Sequence, residues 1–276
     1  MLNPLSSPWS FTQWGLDIVR PFPKAVGNKK YLMVCTDYFI KWVETEPLAN
    51  IRDVDVKKFI WKNIVTQFRV PNILISDNGL QFDSKAFRKY CSNVGIKSRY
   101  STPAYPQGNG QAEAVNKVIV NGIKKRLDDA KERWVEELPH VLWTYRTTPQ
   151  KSTRETPFLM TYGAEAVIPL EIGFPTIRSS TFTSDENDEL LKRNLDLIEE
   201  QRENTRVQLA YYQHKLKQGY DMSVKLRPLA PEDLMLRKVV GNTKNPALGK
   251  IGAQMEGTIS HYVGGRSRCI LLRRFR

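Results

Sequence analysis

The sequence predicts an α/β domain, with helices packed on a mixed sheet, followed by a long polar helix and a small β-rich tail. Three observations predict it. Short apolar runs alternate with amphipathic stretches of helical period through about residue 147. The 276 residues are 41% hydrophobic and 26% charged, the balance of a chain that builds a core. Composition then shifts near residue 170, where PLEIGFPTIRSSTFTS reads as a linker.

Each element has its own reason. QWGLDIV is a short strand-like run holding Asp17. YLMVCTDYF (31–39) is aromatic and apolar, a buried strand, and WVETEPLA (42–49) alternates and can pair with it. In VKKFIWKNIVTQF (56–68), Phe59, Ile60, Ile64, Val65 and Phe68 share a helical face, and Val70-Pro71 stops the helix. NILIS (72–76) is a short strand running into Asp77. SKAFRKYCSNVG (84–95) is a helix closed by Gly95, and IKSRYSTP (96–103) a further strand. The loop AYPQGNG (104–110) leads into a helix over 111–130, and a second helix over 131–147 is anchored by Trp134, Leu138, Val141, Leu142 and Tyr145. Thr183 and Glu186 form a capping-box signature for a helix running to about Gln218 and ending before Gly219. Its apolar stripe, Leu191, Leu195, Ile198, Leu209, Tyr212 and Leu216, is narrow; it suits a helix lying on its own core or one that takes a partner. In the tail, EDLMLRKV and SRCILLRRF are candidate strands of a small barrel.

Charge points to a polyanionic partner. The net charge is +13 and the pI about 9.6. It divides as +8 over residues 1–150, −5 over 151–200 and +10 over 201–276. Two basic regions thus flank an acidic one, which favours nucleic acid as partner over a small-molecule substrate. No apolar run is long enough for a membrane span, and MLNPLSSPWSF lacks the pattern of a signal peptide. Three Cys and three His lie far apart, with no CxxC or HxxxH spacing. That argues against a disulfide framework and against structural zinc.

Three carboxylates stand at strand or helix ends: Asp17, Asp77 and Glu113. Such positions, beside loops, are where open α/β sheets carry their sites. Each also has an ordinary reading: a surface residue, an Asp-Asn-Gly turn, and an acid at the positive end of a helix. A site of Asp and Glu alone suits Mg²⁺ or Mn²⁺.

SDNGLQF followed by TPAYPQGNGQAEAVNK resembles the core of a retroviral-type integrase, and 35 residues separate Asp77 from Glu113 as that family requires. PWSFTQWGLDIVRPFP and KKYLMVCTDYFIKWVETEPLA resemble the opening of the same domain in plant gypsy-type LTR retrotransposon polyproteins. The resemblance covers roughly residues 8–170. It implies a ribonuclease H-like five-stranded sheet flanked by helices. It implies that Asp17, Asp77 and Glu113 are the catalytic, metal-binding triad for two Mg²⁺ (or Mn²⁺) ions, with Asp17 bridging both. Asn116 and Lys117 share the helix face of Glu113 and become DNA contacts, with Gly108 and Gly110 in a loop over the DNA and Arg20 as a further contact. Arg20 departs from the family, which has Gly there. Met255 and Thr258 stand where relatives carry Trp and Pro, so the tail need not close into a full barrel. Asp37 also belongs to the family pattern; its role stays open.

The expected organisation is a catalytic core (1–170), a linker (171–182), a helical segment (183–218) and a basic C-terminal region (219–276). The expected activity is DNA integration by a metal-dependent polynucleotidyl transferase, through 3′-end processing and strand transfer. DNA and further copies of the chain are the expected partners, with no membrane and no small-molecule substrate. The nucleus is the expected site of action, with the cytoplasm before import. A decayed DNA-binding remnant and a ribonuclease H-type nuclease are the alternatives.

Overall fold

The computed structural model describes residues 7, 9–19, 22–77, 79–101, 110–127, 131–168, 171, 173–174, 176, 183–223, 235–238 and 255–258. Five strands form one mixed sheet: β1 (Gln13–Val19), β2 (Tyr31–Asp37), β3 (Val43–Leu48), β4 (Ile73–Ser76) and β5 (Lys97–Tyr100), in the order β3-β2-β1-β4-β5. β1, β2 and β3 form an antiparallel meander; β4 and β5 then add parallel to β1 and to each other. This is the expected five-stranded mixed sheet flanked by helices.

The period of two along β1 creates two cores. Trp14, Leu16 and Ile18 face one side, with Phe59, Ile60 and Ile64 of α1 (Asp53–Phe59) and the turns after it, and with Phe87 and Cys91 of α2 (Lys85–Val94). Gly15 and Asp17 face the other side, towards α3 (Gly110–Arg126). There Ile119 and Ile123 of α3 pack with Trp134, Leu138 and Val141 of α4 (Trp134–Arg146) and with Leu32 and Val34 of β2. Trp134 stacks on Phe22 at 4.5 Å, and its indole N–H donates to the Pro23 carbonyl at 2.9 Å.

The helix ends follow their sequences. Ser84 Oγ accepts the Phe87 N–H at 3.0 Å, and Gly95 closes α2 at φ 83°. Three elements differ from expectation. The helix after β3 starts at Asp53 and widens into π-helical turns over Ile60–Val65, which bury Asn63 and let its amide donate to Glu46 at 3.3 Å. A short helix, α5 (Pro157–Tyr162), capped by Thr156, lies where none was expected. The long helix α6 (Ser184–Ser223) runs through Gly219 rather than stopping before it.

One face of α6 lies on the core domain. Ile198 and Leu209 are buried, Thr205 Oγ1 donates to Met160 Sδ at 3.4 Å, and Arg202 donates to the Met160 carbonyl at 3.2 Å. The Arg206 guanidinium sits 4.8 Å from the Trp9 ring centroid. Leu191, Leu195 and Leu216 of the expected stripe stay exposed.

Residues Met1–Gln218 form one compact unit and Gly219–Arg276 a second. Within the second, β6 (Met235–Lys238) and β7 (Met255–Thr258) pair antiparallel. β6 falls inside the expected EDLMLRKV strand; SRCILLRRF, and most of the expected linker over 171–182, lie outside the described residues. Among the described residues, no helix is long and apolar enough to cross a membrane.

Candidate active site

Leu16 of β1 pairs with Ser76 of β4 in parallel register. One step further along each strand stand Asp17 and Asp77. Adjacent strands lie about 5 Å apart, so the two carboxylates are neighbours in the middle of the sheet, where β4 ends. The third, Glu113, sits exposed in the first turn of α3.

What brings α3 close is the absence of a side chain at position 15. A Cβ on Gly15 would lie 2.5 Å from Tyr38 Cε1, 2.8 Å from its Oη and 3.0 Å from Ala112 Cβ. Tyr38 is buried and fills that space, with Ile75 and Ala112 around it. An isolated glycine in a strand marks such a close approach. That was the available signal for this packing, and sequence reasoning passed over it.

Asp17 Oδ1 accepts its neighbour Ile18's N–H at 2.8 Å, and Oδ2 accepts the Asn116 side-chain amide at 2.6 Å. Burial raises its carboxyl above the ordinary range, and Asp77 and Glu113 add to the rise, while the two hydrogen bonds oppose it. The three carboxylates thus share one electrostatic neighbourhood. Asp77 Oδ1 accepts the Gly79 N–H at 3.1 Å, which fixes the turn at the end of β4.

The other expected residues fall differently. Asn116 is 6% exposed and serves Asp17; its Oδ1 is buried without a hydrogen-bond partner among the described residues. Lys117, next along α3, is exposed, as are Lys124, Lys125 and Arg126. Gly110 opens α3 with free space where a Cβ would sit. Arg20 and Gly108 lie outside the described residues.

Asp37 belongs to a different construction. It is fully buried and accepts three backbone N–H groups: Phe11 on Oδ1, and Phe39 and Ile40 on Oδ2, at 2.8–3.0 Å. It ties the approach to β1 to the β2–β3 turn. Burial pushes its carboxyl up to about 7 against those hydrogen bonds and the attraction of Lys41. Lys41 is held down to about 8, also chiefly by burial.

The donor chemistry at the three carboxylates is oxygen only and anionic, which fits a hard divalent cation. Burial is the chief cause of the raised Asp17 carboxyl, and the smaller repulsion from Asp77 and Glu113 is what such a cation would relieve. In this conformation, however, no three His, Cys, Asp or Glu side chains among the described residues lie close enough together to grip one ion. Glu113 is exposed, whereas Asp17 and Asp77 are half-buried.

Comparison with known proteins agrees with this reading of the fold. Residues 10–106 match the integrase core domain family. The chain is 33% identical over 207 residues to the Gag-Pol polyprotein of Feline leukemia virus, covering 75% of this chain and 12% of that protein. It is 32% identical over 209 residues to the Pol polyprotein of Radiation murine leukemia virus (strain Kaplan), covering 75% of this chain and 35% of that protein. The chain therefore spans only a minor part of these relatives' length. Among solved structures, a chain of the simian T-cell lymphotropic virus intasome in complex with PP2A regulatory subunit B56 gamma superposes with a TM-score of 0.52 at 19% identity, over 60% of this chain and 59% of that one.

Proposed function

We propose that this chain carries the catalytic core of a DNA-integrating polynucleotidyl transferase of the gypsy-type LTR retrotransposon kind. The observation that carries the reading is the pair Asp17 and Asp77, abreast on neighbouring parallel strands, under a helix that brings Glu113 into the same electrostatic field. The match of residues 10–106 to the integrase core domain supports it and spans both aspartates.

In this reading Asp17, Asp77 and Glu113 hold two Mg²⁺ or Mn²⁺ ions. Bound divalent ions supply nucleophile activation and charge stabilisation for in-line displacement at phosphorus. The chain's own residues do the rest. Asn116 orients Asp17 by donating to its Oδ2. Lys117, exposed beside them, meets a DNA phosphate. The substrates are element ends, trimmed at the 3′ end, and target DNA, joined by the new 3′-hydroxyl. The working form is a homo-oligomer, and the nucleus is the site of action.

The test is a Mn²⁺-dependent disintegration assay on branched DNA with wild type and Glu113→Gln side by side. Product from wild type alone supports the transferase. Product from both removes Glu113 from the mechanism. No product from a folded wild type that binds DNA favours the decayed remnant, the reading that Arg20 and the altered tail at Met255 and Thr258 motivate.

A further inference from the structure

Lys41 combines features that its neighbours do not explain. Its backbone lies at φ 64°, a left-handed conformation that glycine adopts freely and lysine seldom does. Its side chain is buried, at 7% exposure for the residue. A lysine ammonium removed from water needs strong acceptors. It donates to the Tyr38 carbonyl at 2.6 Å and to Gln111 Oε1 at 2.5 Å. Among the described residues no salt bridge touches it; Asp37 attracts it only from a distance.

The two acceptors belong to different parts of the fold. Tyr38 begins the β2–β3 turn, which Asp37 stiffens through the N–H groups of Phe39 and Ile40. Gln111 is the second residue of α3, two before Glu113. The ammonium therefore bridges a rigid turn of the sheet to the first turn of the helix that carries the third carboxylate. Below the bridge, Tyr38 also fills the gap between Gly15 and Ala112. One short segment, Asp37–Lys41, thus contacts α3 from beneath and holds its end. A strained backbone kept at a lysine makes sense when the side chain has a task that glycine cannot perform.

We propose that Lys41 is a positioning residue: its ammonium clamps the first turn of α3 to the β2–β3 turn and so sets where Glu113 stands relative to Asp17 and Asp77. The inference rests on the carboxylate reading given under the proposed function. Nothing in it requires Lys41 to touch substrate or metal.

Lys41→Gly is the informative variant, because it removes the ammonium while easing the left-handed backbone. Gln111→Leu breaks the same bridge from the other end and leaves the turn alone. Both are made in the full chain and followed by thermal unfolding, by hydrogen–deuterium exchange across α3, and by Mn²⁺ titration calorimetry, with Asp17→Asn as the reference for lost binding. The expected result is an unfolding midpoint for Lys41→Gly at or above wild type. Exchange becomes faster over Ala112–Val115 but not over Ile119–Ile123. Mn²⁺ affinity falls about tenfold in both variants, the size of effect seen when a residue supporting a metal ligand is lost.

Wild-type exchange in the first turn of α3 in both variants overturns the clamp. Wild-type Mn²⁺ affinity in both, with Asp17→Asn unable to bind, overturns the positioning role while leaving the proposed function intact. A wild type that takes up no Mn²⁺ counts instead against the proposed function, and exchange alone then decides whether the clamp exists.

Discussion

The Asn116 amide donates to Asp17 Oδ2 at 2.6 Å, joining residues 99 apart in the chain. A hydrogen bond to a charged group contributes about 1.5–3 kcal/mol when its partner is ionised. Asn116 Oδ1, by contrast, is buried with no partner among the described residues and costs stability. Asn116→Ala removes both. Its thermal stability should stay within about 1 kcal/mol of wild type, since the lost bond and the relieved desolvation oppose each other. Transferase activity should fall about tenfold or more, because Asp17 loses its orienting donor and its carboxyl rises further. Parallel melting curves and disintegration rates check this; an equal loss in both would make Asn116 merely structural.

Gly15→Ala should destabilise by about 1–3 kcal/mol, the usual cost of overpacking, because the new methyl meets Tyr38 and Ala112 at 2.5–3.0 Å. In a Tyr38→Leu background the penalty should shrink. Urea titrations of the four proteins in the cycle give the coupling.

Asp37→Asn should destabilise the fold. The carboxylate accepts N–H groups on both oxygens, and an amide must point its NH₂ at one of these donors. The size of the effect depends on pH, with a definite sign. Burial pushes the folded carboxyl up to about 7, above the 3.8 of a free aspartate. Between those values the folded state binds more protons than the unfolded state, so stability falls as pH rises. Asparagine does not titrate. The wild-type advantage over Asp37→Asn should therefore be greatest below the free-aspartate value, narrow towards pH 7 and level off above it. Stability curves at a series of pH values test this, and a widening gap would contradict it.

Arg146→Met should cost about 3 kcal/mol. The guanidinium donates to the Val43 carbonyl at 2.7 Å and to Glu44 at 2.9 Å, and lies 4.2 Å from the Trp42 ring centroid. Glu44 is already raised by burial, with Arg146 and Trp42 opposing the rise. Without the arginine it is left as a half-buried carboxylate with one fewer donor. Replacing Glu44 by Gln as well should recover part of the loss, read from denaturant midpoints.

Much of this architecture is written locally. The runs around Leu32, Val34, Leu74 and Ile75 are strands because short, continuous apolar runs suit a sheet covered on both faces. Ser84 and Gly95 mark helix ends through their own backbone chemistry. Asp17, Asp77 and Glu113 were singled out by spacing and resemblance; in the structure Asp77 and Glu113 each add to the rise of the Asp17 carboxyl. What was not legible depends on contacts between distant segments. Asn116 reads as a surface partner for DNA until the fold turns it onto Asp17. Nothing in the residues around Lys41 announces its burial. The π-helical turns at Ile60–Val65 follow an unbroken helical pattern, and the widening comes with Asn63 turned inward towards Glu46. The end of α6 was misjudged because Gly219 was given its intrinsic preference as a stop, whereas one glycine late in a long helix costs only about 1 kcal/mol.

The central strand has a bearing on when the chemistry can first appear during synthesis. β1 gains β2 early, through a local antiparallel turn, but must wait for β4 to arrive about sixty residues later and for α3 to close over Gly15. Asp17 spends that interval beside neither of its fellow carboxylates. On the proposed function, a nascent chain emerging from the ribosome therefore has no assembled carboxylate site until the whole domain has closed.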